Sequence, residues 1–272
     1  MSLEMLKQQM CDIGKRIYEK GMVAANDGNL SARIDKDVFL VTPTGVSKGF
    51  LTKDMLLLVN GKGEVLEGTY RPTSEIKMHL RVYQERPDVG AVVHVHPPYA
   101  TAFAVAGIPL DQATMPELIV LLGSIPLAPY GTPSTGEVPE AIAPYVHDHQ
   151  GVLLENHGAL TWGKDLEHAY FLMESLEFCA KINWLARQIN GDRELNERHV
   201  KRLLELKEKM GIHGKAPQGI RMESDVTAKK VSPKLEVELS EQAIEEIVHR
   251  VTNRLIKAIS KLKDEMNINK HD

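Results

Sequence analysis

The stretch Ala91-Val92-Val93-His94-Val95-His96, closed by Pro97-Pro98, places two histidines one residue apart at the end of an apolar run. Side chains alternate faces along an extended strand, so residues two apart point the same way. The run therefore reads as a buried strand whose last two rings leave one face together. A buried strand end has little use for two unsatisfied imidazoles. A second apolar run, Gly151-Val152-Leu153-Leu154-Glu155, leads to His157 and Gly158. Three neutral imidazoles with an open or carboxylate-filled fourth position describe a catalytic zinc site better than a structural one. His147, His149, His168, His199 and His213 lack such a setting and read as core or surface histidines.

Outward from this strand, the chain alternates strand-like and helix-like segments. Upstream, Leu3, Leu6, Met10, Ile13, Ile17 and Met22 recur at helical spacing and end in the turn Asn26-Asp27-Gly28-Asn29. Short strands are expected at 30–34 and 38–42, and a hairpin joins 56–59 to 65–67 across Asn60-Gly61-Lys62-Gly63. Pro72-Thr73-Ser74 opens a helix to about Gln84, with Thr or Ser suited to cap it. Downstream, helices are expected near 100–105, 138–146, 165–189 and 194–210, with an apolar segment at 116–122. Apolar periodicity then stops. Residues 1–212 read as one catalytic domain, 213–238 as a flexible linker, and 239–272 as an amphipathic helical tail carrying Ile244, Ile247, Val248, Val251, Leu255, Ile259 and Leu262. Ser240 suits its cap, and Leu239 can staple against Ile244.

Composition narrows the classes. Of 272 residues, 43% are apolar and 26% charged, ordinary for a globular chain that can bury one full core. A net charge of -4 argues against a nucleic-acid partner. Cys11 and Cys179 lie far apart without a CxxC motif, which fits structural thiols in a reduced, cytoplasmic setting. No secretory signal or membrane-spanning run is apparent.

Five short motifs stand in one order: Gly28-Asn29-Leu30-Ser31, Thr42-Pro43-Thr44-Gly45, Thr73-Ser74-Glu75, His94-Val95-His96 and Asn156-His157-Gly158. Singly each is weak. Together, over about Met5 to Met210, the chain resembles the class II aldolase/adducin head family, most closely its L-fuculose-1-phosphate aldolase branch. That resemblance implies an α/β fold of three α/β/α layers around a mostly antiparallel central sheet, assembled as a cyclic homotetramer with active sites at subunit junctions. It implies zinc, one ion per subunit, on His94, His96 and His157, with Glu75 as fourth ligand and acid/base. Position alone reads Glu75 as a first-turn acid favoured by the helix dipole, and His79, one turn later, rivals it by spacing. Asn29, Thr44, Gly45, Thr73 and Ser74 match the family's phosphate-gripping positions, although ordinary turn chemistry explains the same residues.

The activity implied is retro-aldol cleavage of a ketose 1-phosphate, such as L-fuculose 1-phosphate, to dihydroxyacetone phosphate and an aldehyde such as L-lactaldehyde. One departure stands out: Met115 falls where the branch carries a tyrosine at the aldehyde end. Glu117 is a substitute candidate, or simply a helix-start acid after Pro116. It also keeps open a methylthioribulose-1-phosphate-type dehydratase, beside a sugar-phosphate epimerase. An adducin-like binding module is the non-enzymatic alternative. The tail resembles the encapsulation peptides of bacterial microcompartments, which would make a shell protein its partner; docking on the enzyme itself is the plainer reading.

Overall fold

A computed structural model describes residues 2–217 of the chain. An eight-stranded sheet runs through its middle, in the order β4-β3-β2-β1-β5-β8-β7-β6. The strands are β1 (Asn29–Asp35), β2 (Val38–Val41), β3 (Leu57–Val59), β4 (Val65–Glu67), β5 (Ala91–Val95), β6 (Leu127–Ala128), β7 (Gly151–Leu154) and β8 (Gly158–Gly163). Every neighbouring pair is antiparallel except β6 with β7. The histidine-bearing β5 lies at the centre, between β1 and β8, and all five of its residues are buried.

Strand alternation sorts the apolar side chains onto two faces. Leu30, Ala32, Ala91, Val93, Val95 and Ala159 pack against α1 (Leu3–Glu19), α3 (Pro98–Val105) and α5 (Leu166–Ile189). Phe39, Val41, Val92, Val152, Leu160 and Trp162 pack against α2 (Ile76–Glu85) and α4 (Glu137–Val146). The result is the α/β/α layering implied by the resemblance. A further helix, α6 (Glu197–Lys209), carries the buried Val200 against Ala113 and Ile119. Its cap is Asn196, whose side chain accepts from the His199 N–H, as Ser2 and Asp165 do for α1 and α5.

Three local differences from the sequence reading have physical causes. The run expected to end as one strand at His157 turns back instead, because Asn156 takes a left-handed conformation (φ 54) and β8 returns antiparallel to β7. The apolar segment at 116–122 holds a π-helical turn, Leu118–Leu122, stopped by Gly123 at φ 74. The opening of α2 is capped by neither Thr73 nor Ser74: the N-cap residue is Glu75, with no capping bond from its side chain.

Residues 213–217 lie against the body, where Lys215 donates its N–H to the Asp148 carbonyl and accepts from Ser124 N–H, at 2.6 and 2.8 Å. The remainder of the expected linker and the whole amphipathic tail lie outside the described residues. Cys11 and Cys179 are both buried and free, and burial pushes their thiols up to about 11 and about 12. Among the described residues, no helix is long and apolar enough to cross a membrane.

Candidate active site

Alternation along β5 puts His94 on the Val92 face, the side covered by α2 and α4, and His96 follows two residues later. Pairing of Val95 with Ala159 sets the β7–β8 turn directly beside the end of β5, and that turn carries His157. Gly158 makes the approach possible, since a Cβ there would lie 2.5 Å from His96 Cδ2 and 2.7 Å from the Val95 carbonyl oxygen. Opposite them, Glu75 projects from the start of α2. One donor atom from each of the three histidines lies within 4.8 Å of the others.

Four donors held around one tetrahedral zinc at 2.0–2.1 Å would stand about 3.3 Å apart. The His94 Nε2–His96 Nε2 distance is 3.2 Å, and His94 Nε2–Glu75 Oε2 and His157 Nε2–Glu75 Oε1 are both 3.4 Å. Tautomers agree with this geometry. The neutral His94 ring bonds the Ala159 carbonyl through Nδ1 at 2.9 Å, so Nδ1 holds the proton and Nε2 offers its lone pair to the cluster. Asp27 Oδ2 lies 3.5 Å from Nδ1 of His96 and favours the same tautomer there. Burial, then the neighbouring His157 and His96, hold His94 well below the usual imidazole value. Burial also lowers His157, outweighing the pull of Glu75 in the other direction. Glu75 Oε1 is buried without a hydrogen-bond donor. Convergent lone pairs and a carboxylate, lacking donors among themselves, fit a divalent cation.

The cluster opens into a cavity of about 210 Å³ walled by four loops, Asn26–Asn29, Pro43–Gly45, Thr73–Glu75 and Pro133–Ser134, together with His96 and His157. Asn29, Thr44, Gly45, Thr73 and Ser74, named from sequence as phosphate candidates, all line it together with Glu75. Gly28, at φ 74, passes so close to the His94 carbonyl oxygen that a Cβ would sit 3.0 Å from it. Asn29 faces the cavity with its amide engaged, donating from Nδ2 to Glu75 Oε2 at 2.9 Å.

Glu117 is not among the cavity's lining residues. It stands exposed as the residue capping the π-helical turn, where its charge helps to raise the Cys179 thiol. Met115 is half-buried against the α1/α3/α5 core. His79 is fully buried with both ring nitrogens hydrogen-bonded, Nδ1 to Ser31 Oγ and Nε2 to Asn29 Oδ1, and takes no part in the donor cluster.

Sequence reasoning did not single out Asp27, Pro133, Ser134 or Lys48 for this site. Lys48 is buried to 1% exposure and donates from Nζ to the carbonyls of Asn26 and Val46, tying two of the cavity loops together. Pro133 and Ser134 sit in Tyr130-Gly131-Thr132-Pro133-Ser134-Thr135-Gly136, a segment whose composition marks only a loop. Asp27 was legible as a turn residue, and its reach to His96 follows from pairing of β1 with β5.

Comparison with known proteins shows the family. The class II aldolase and adducin N-terminal domain model matches residues 8–184. An L-fuculose phosphate aldolase from Methanococcus maripaludis is 35% identical over 177 residues, covering 65% of this chain and 95% of that protein. A 3-oxo-tetronate 4-phosphate decarboxylase from Pectobacterium atrosepticum is 32% identical over 193 residues, covering 70% and 86%. Among solved structures, an L-fuculose 1-phosphate aldolase superposes with a TM-score of 0.70 at 31% identity, covering 76% of this chain and 98% of that one. With the matched region spanning the central sheet, the three histidines and Glu75, the chain belongs to the class II aldolase/adducin N-terminal domain family.

Proposed function

We propose that this protein cleaves a ketose 1-phosphate by a retro-aldol reaction, with L-fuculose 1-phosphate or a related deoxy sugar phosphate as substrate, giving dihydroxyacetone phosphate and an aldehyde such as L-lactaldehyde. The observation that carries the proposal is the single cavity shared by the cation donors and the phosphate-suited loops. Hydroxyls of Thr44, Thr73 and Ser74, the Gly45 amide and the second Nδ2 hydrogen of Asn29 suit a phosphate at one end. His94, His96, His157 and Glu75 would hold zinc, which as a Lewis acid supplies stabilisation of the enediolate charge.

The remaining steps belong to side chains. The bond between C3 and C4 breaks as the C4 hydroxyl loses its proton, and its electrons pass to C3. Glu75 takes a proton from solvent and delivers it to C3, completing dihydroxyacetone phosphate, while the C4 hydroxyl proton returns to solvent through its base. The base at the C4 hydroxyl is Glu117, supplied by a neighbouring copy in a homotetramer, since it does not reach the cavity of its own chain. An intact donor set favours this enzyme over an adducin-like binding module.

A second reading has its own support in the decarboxylase relative. Loss of carbon dioxide from a 3-oxo acid bearing a terminal phosphate leaves the same enediolate for Glu75 to protonate. The test is incubation of zinc-loaded protein with fuculose, rhamnulose and ribulose 1-phosphates and with 3-oxo-tetronate 4-phosphate, with products identified by NMR. Equimolar dihydroxyacetone phosphate and aldehyde supports the aldolase; carbon dioxide from the oxo acid, with no sugar phosphate cleaved, replaces it by the decarboxylase.

A further inference from the structure

We infer that Tyr83, Ser31, His79 and Asn29 form a one-way hydrogen-bond relay that anchors one oxygen of Glu75 and leaves the other free to work. The relay's purpose rests on Glu75 acting as proposed above; its direction does not. Four bonds connect the groups: Tyr83 Oη to Ser31 Oγ at 2.8 Å, Ser31 Oγ to His79 Nδ1 at 2.7 Å, His79 Nε2 to Asn29 Oδ1 at 2.6 Å, and Asn29 Nδ2 to Glu75 Oε2 at 2.9 Å.

The proton positions follow from the carboxylate end. An ionised carboxylate only accepts, so Asn29 must turn its NH₂ toward Glu75 and its carbonyl toward His79. That carbonyl requires a donor, so the His79 proton sits on Nε2. The ring is neutral, since burial first, then the nearby His94, push it down to about 3. Nδ1 is therefore an acceptor, Ser31 must donate to it, and Tyr83 must donate to Ser31. Every donor points toward Glu75. Aligned bonds in a dry interior polarise one another, so the anchor on Oε2 is stronger than a lone amide would give.

The two carboxylate oxygens are thereby separated in role. Both face the histidine cluster, Oε2 3.4 Å from His94 Nε2 and Oε1 3.4 Å from His157 Nε2, but only Oε2 is held by Asn29, while Oε1 is buried with no hydrogen bond. A freely rotating carboxylate would exchange these positions. The relay fixes which oxygen stays free of hydrogen bonds; Tyr83, Ser31 and His79 are positioning residues, and Asn29 links them to the cavity it lines.

Two measurements test this. In the metal-free, full-length protein, imidazole ¹⁵N NMR should show His79 neutral with its proton on Nε2; a proton on Nδ1, or a charged ring at neutral pH, would overturn the relay whatever the protein's activity. In zinc-loaded protein, Ser31→Ala and the milder Tyr83→Phe should lower kcat for cleavage by about tenfold or more, the usual cost of losing an outer-shell partner, with KM little changed. Unchanged kcat, or a raised KM alone, would assign these residues to packing or phosphate binding instead. Wild-type protein that cleaves no sugar phosphate, yet shows the Nε2 proton, would refute the aldolase and leave the relay standing.

Discussion

Glu75 was the hardest site residue to rank from sequence, because an acid at a helix start is common for reasons unrelated to chemistry. Its geometry distinguishes it: as the N-cap of α2 it makes no capping bond, and both oxygens turn to the histidine cluster. Glu75→Gln keeps the shape and an acceptor for Asn29 while removing charge and basicity. Metal content measured by mass spectrometry should stay near one ion per chain, whereas kcat should fall by roughly 10²–10⁴. Full turnover in that variant would remove Glu75 from the mechanism. His79 makes a separate, pH-dependent contribution. Its folded value of about 3 lies below the roughly 6.5 of an unfolded histidine, so between those limits only the unfolded chain takes the proton. Stability therefore falls as pH drops through this window, by about 1.4 kcal/mol per pH unit, and does not change above it. Denaturant melts of metal-free wild type and His79→Gln should converge as pH falls from about 6.5 to 4; parallel curves would refute the assignment.

At the scale of elements, the site is written in two periodicities. Strand period places Asn29 with Ser31 and His94 with His96; helix period places Glu75, His79 and Tyr83 four residues apart on one stripe of α2. The histidine pair was legible because two polar rings interrupt an apolar run. The 75/79/83 stripe is equally periodic, but its histidine and tyrosine lie buried among Ile76, Met78, Leu80 and Val82, and of the three only Glu75 and His79 stood out by spacing. What could not be read was β8, since the single left-handed residue Asn156 converts one strand into a hairpin. That hairpin makes Gly158 critical. Gly158→Ala would drive a methyl into His96 and the Val95 carbonyl, whose backbone cannot yield within the sheet. Zinc affinity by competition titration should drop by about tenfold or more, with the fold retained by circular dichroism. Unchanged affinity would mean that the β5–β8 junction has slack that the packing does not show.

For the whole molecule, amphipathic periodicity announced most elements, because each such segment must bury one face, whereas the layering came from the family resemblance. Periodicity gave much less of how loops distant in the chain meet: the cavity draws on residues from 26 to 157, and Lys48 joins two of its loops through main-chain carbonyls that no side-chain pattern announces. Glu117 raises the same problem one level up. It is exposed and not among the residues lining the cavity of its own chain, and the proposal above gives it a part in another copy's cavity. A shared site makes a prediction that neither single variant can. Glu75→Gln protein retains Glu117 to lend, and Glu117→Gln protein retains an intact metal cluster. Each alone should be nearly inactive; unfolded together and refolded as a mixture, some cavities will combine Glu75 from one copy with Glu117 from another. Activity should then reappear, up to roughly a quarter of wild type for random pairing of two subunit types at a two-copy site. Persisting inactivity in refolded mixed oligomers, with both parents nearly dead, would place Glu117 outside any neighbour's site. An active Glu117→Gln parent would dismiss it from the reaction altogether.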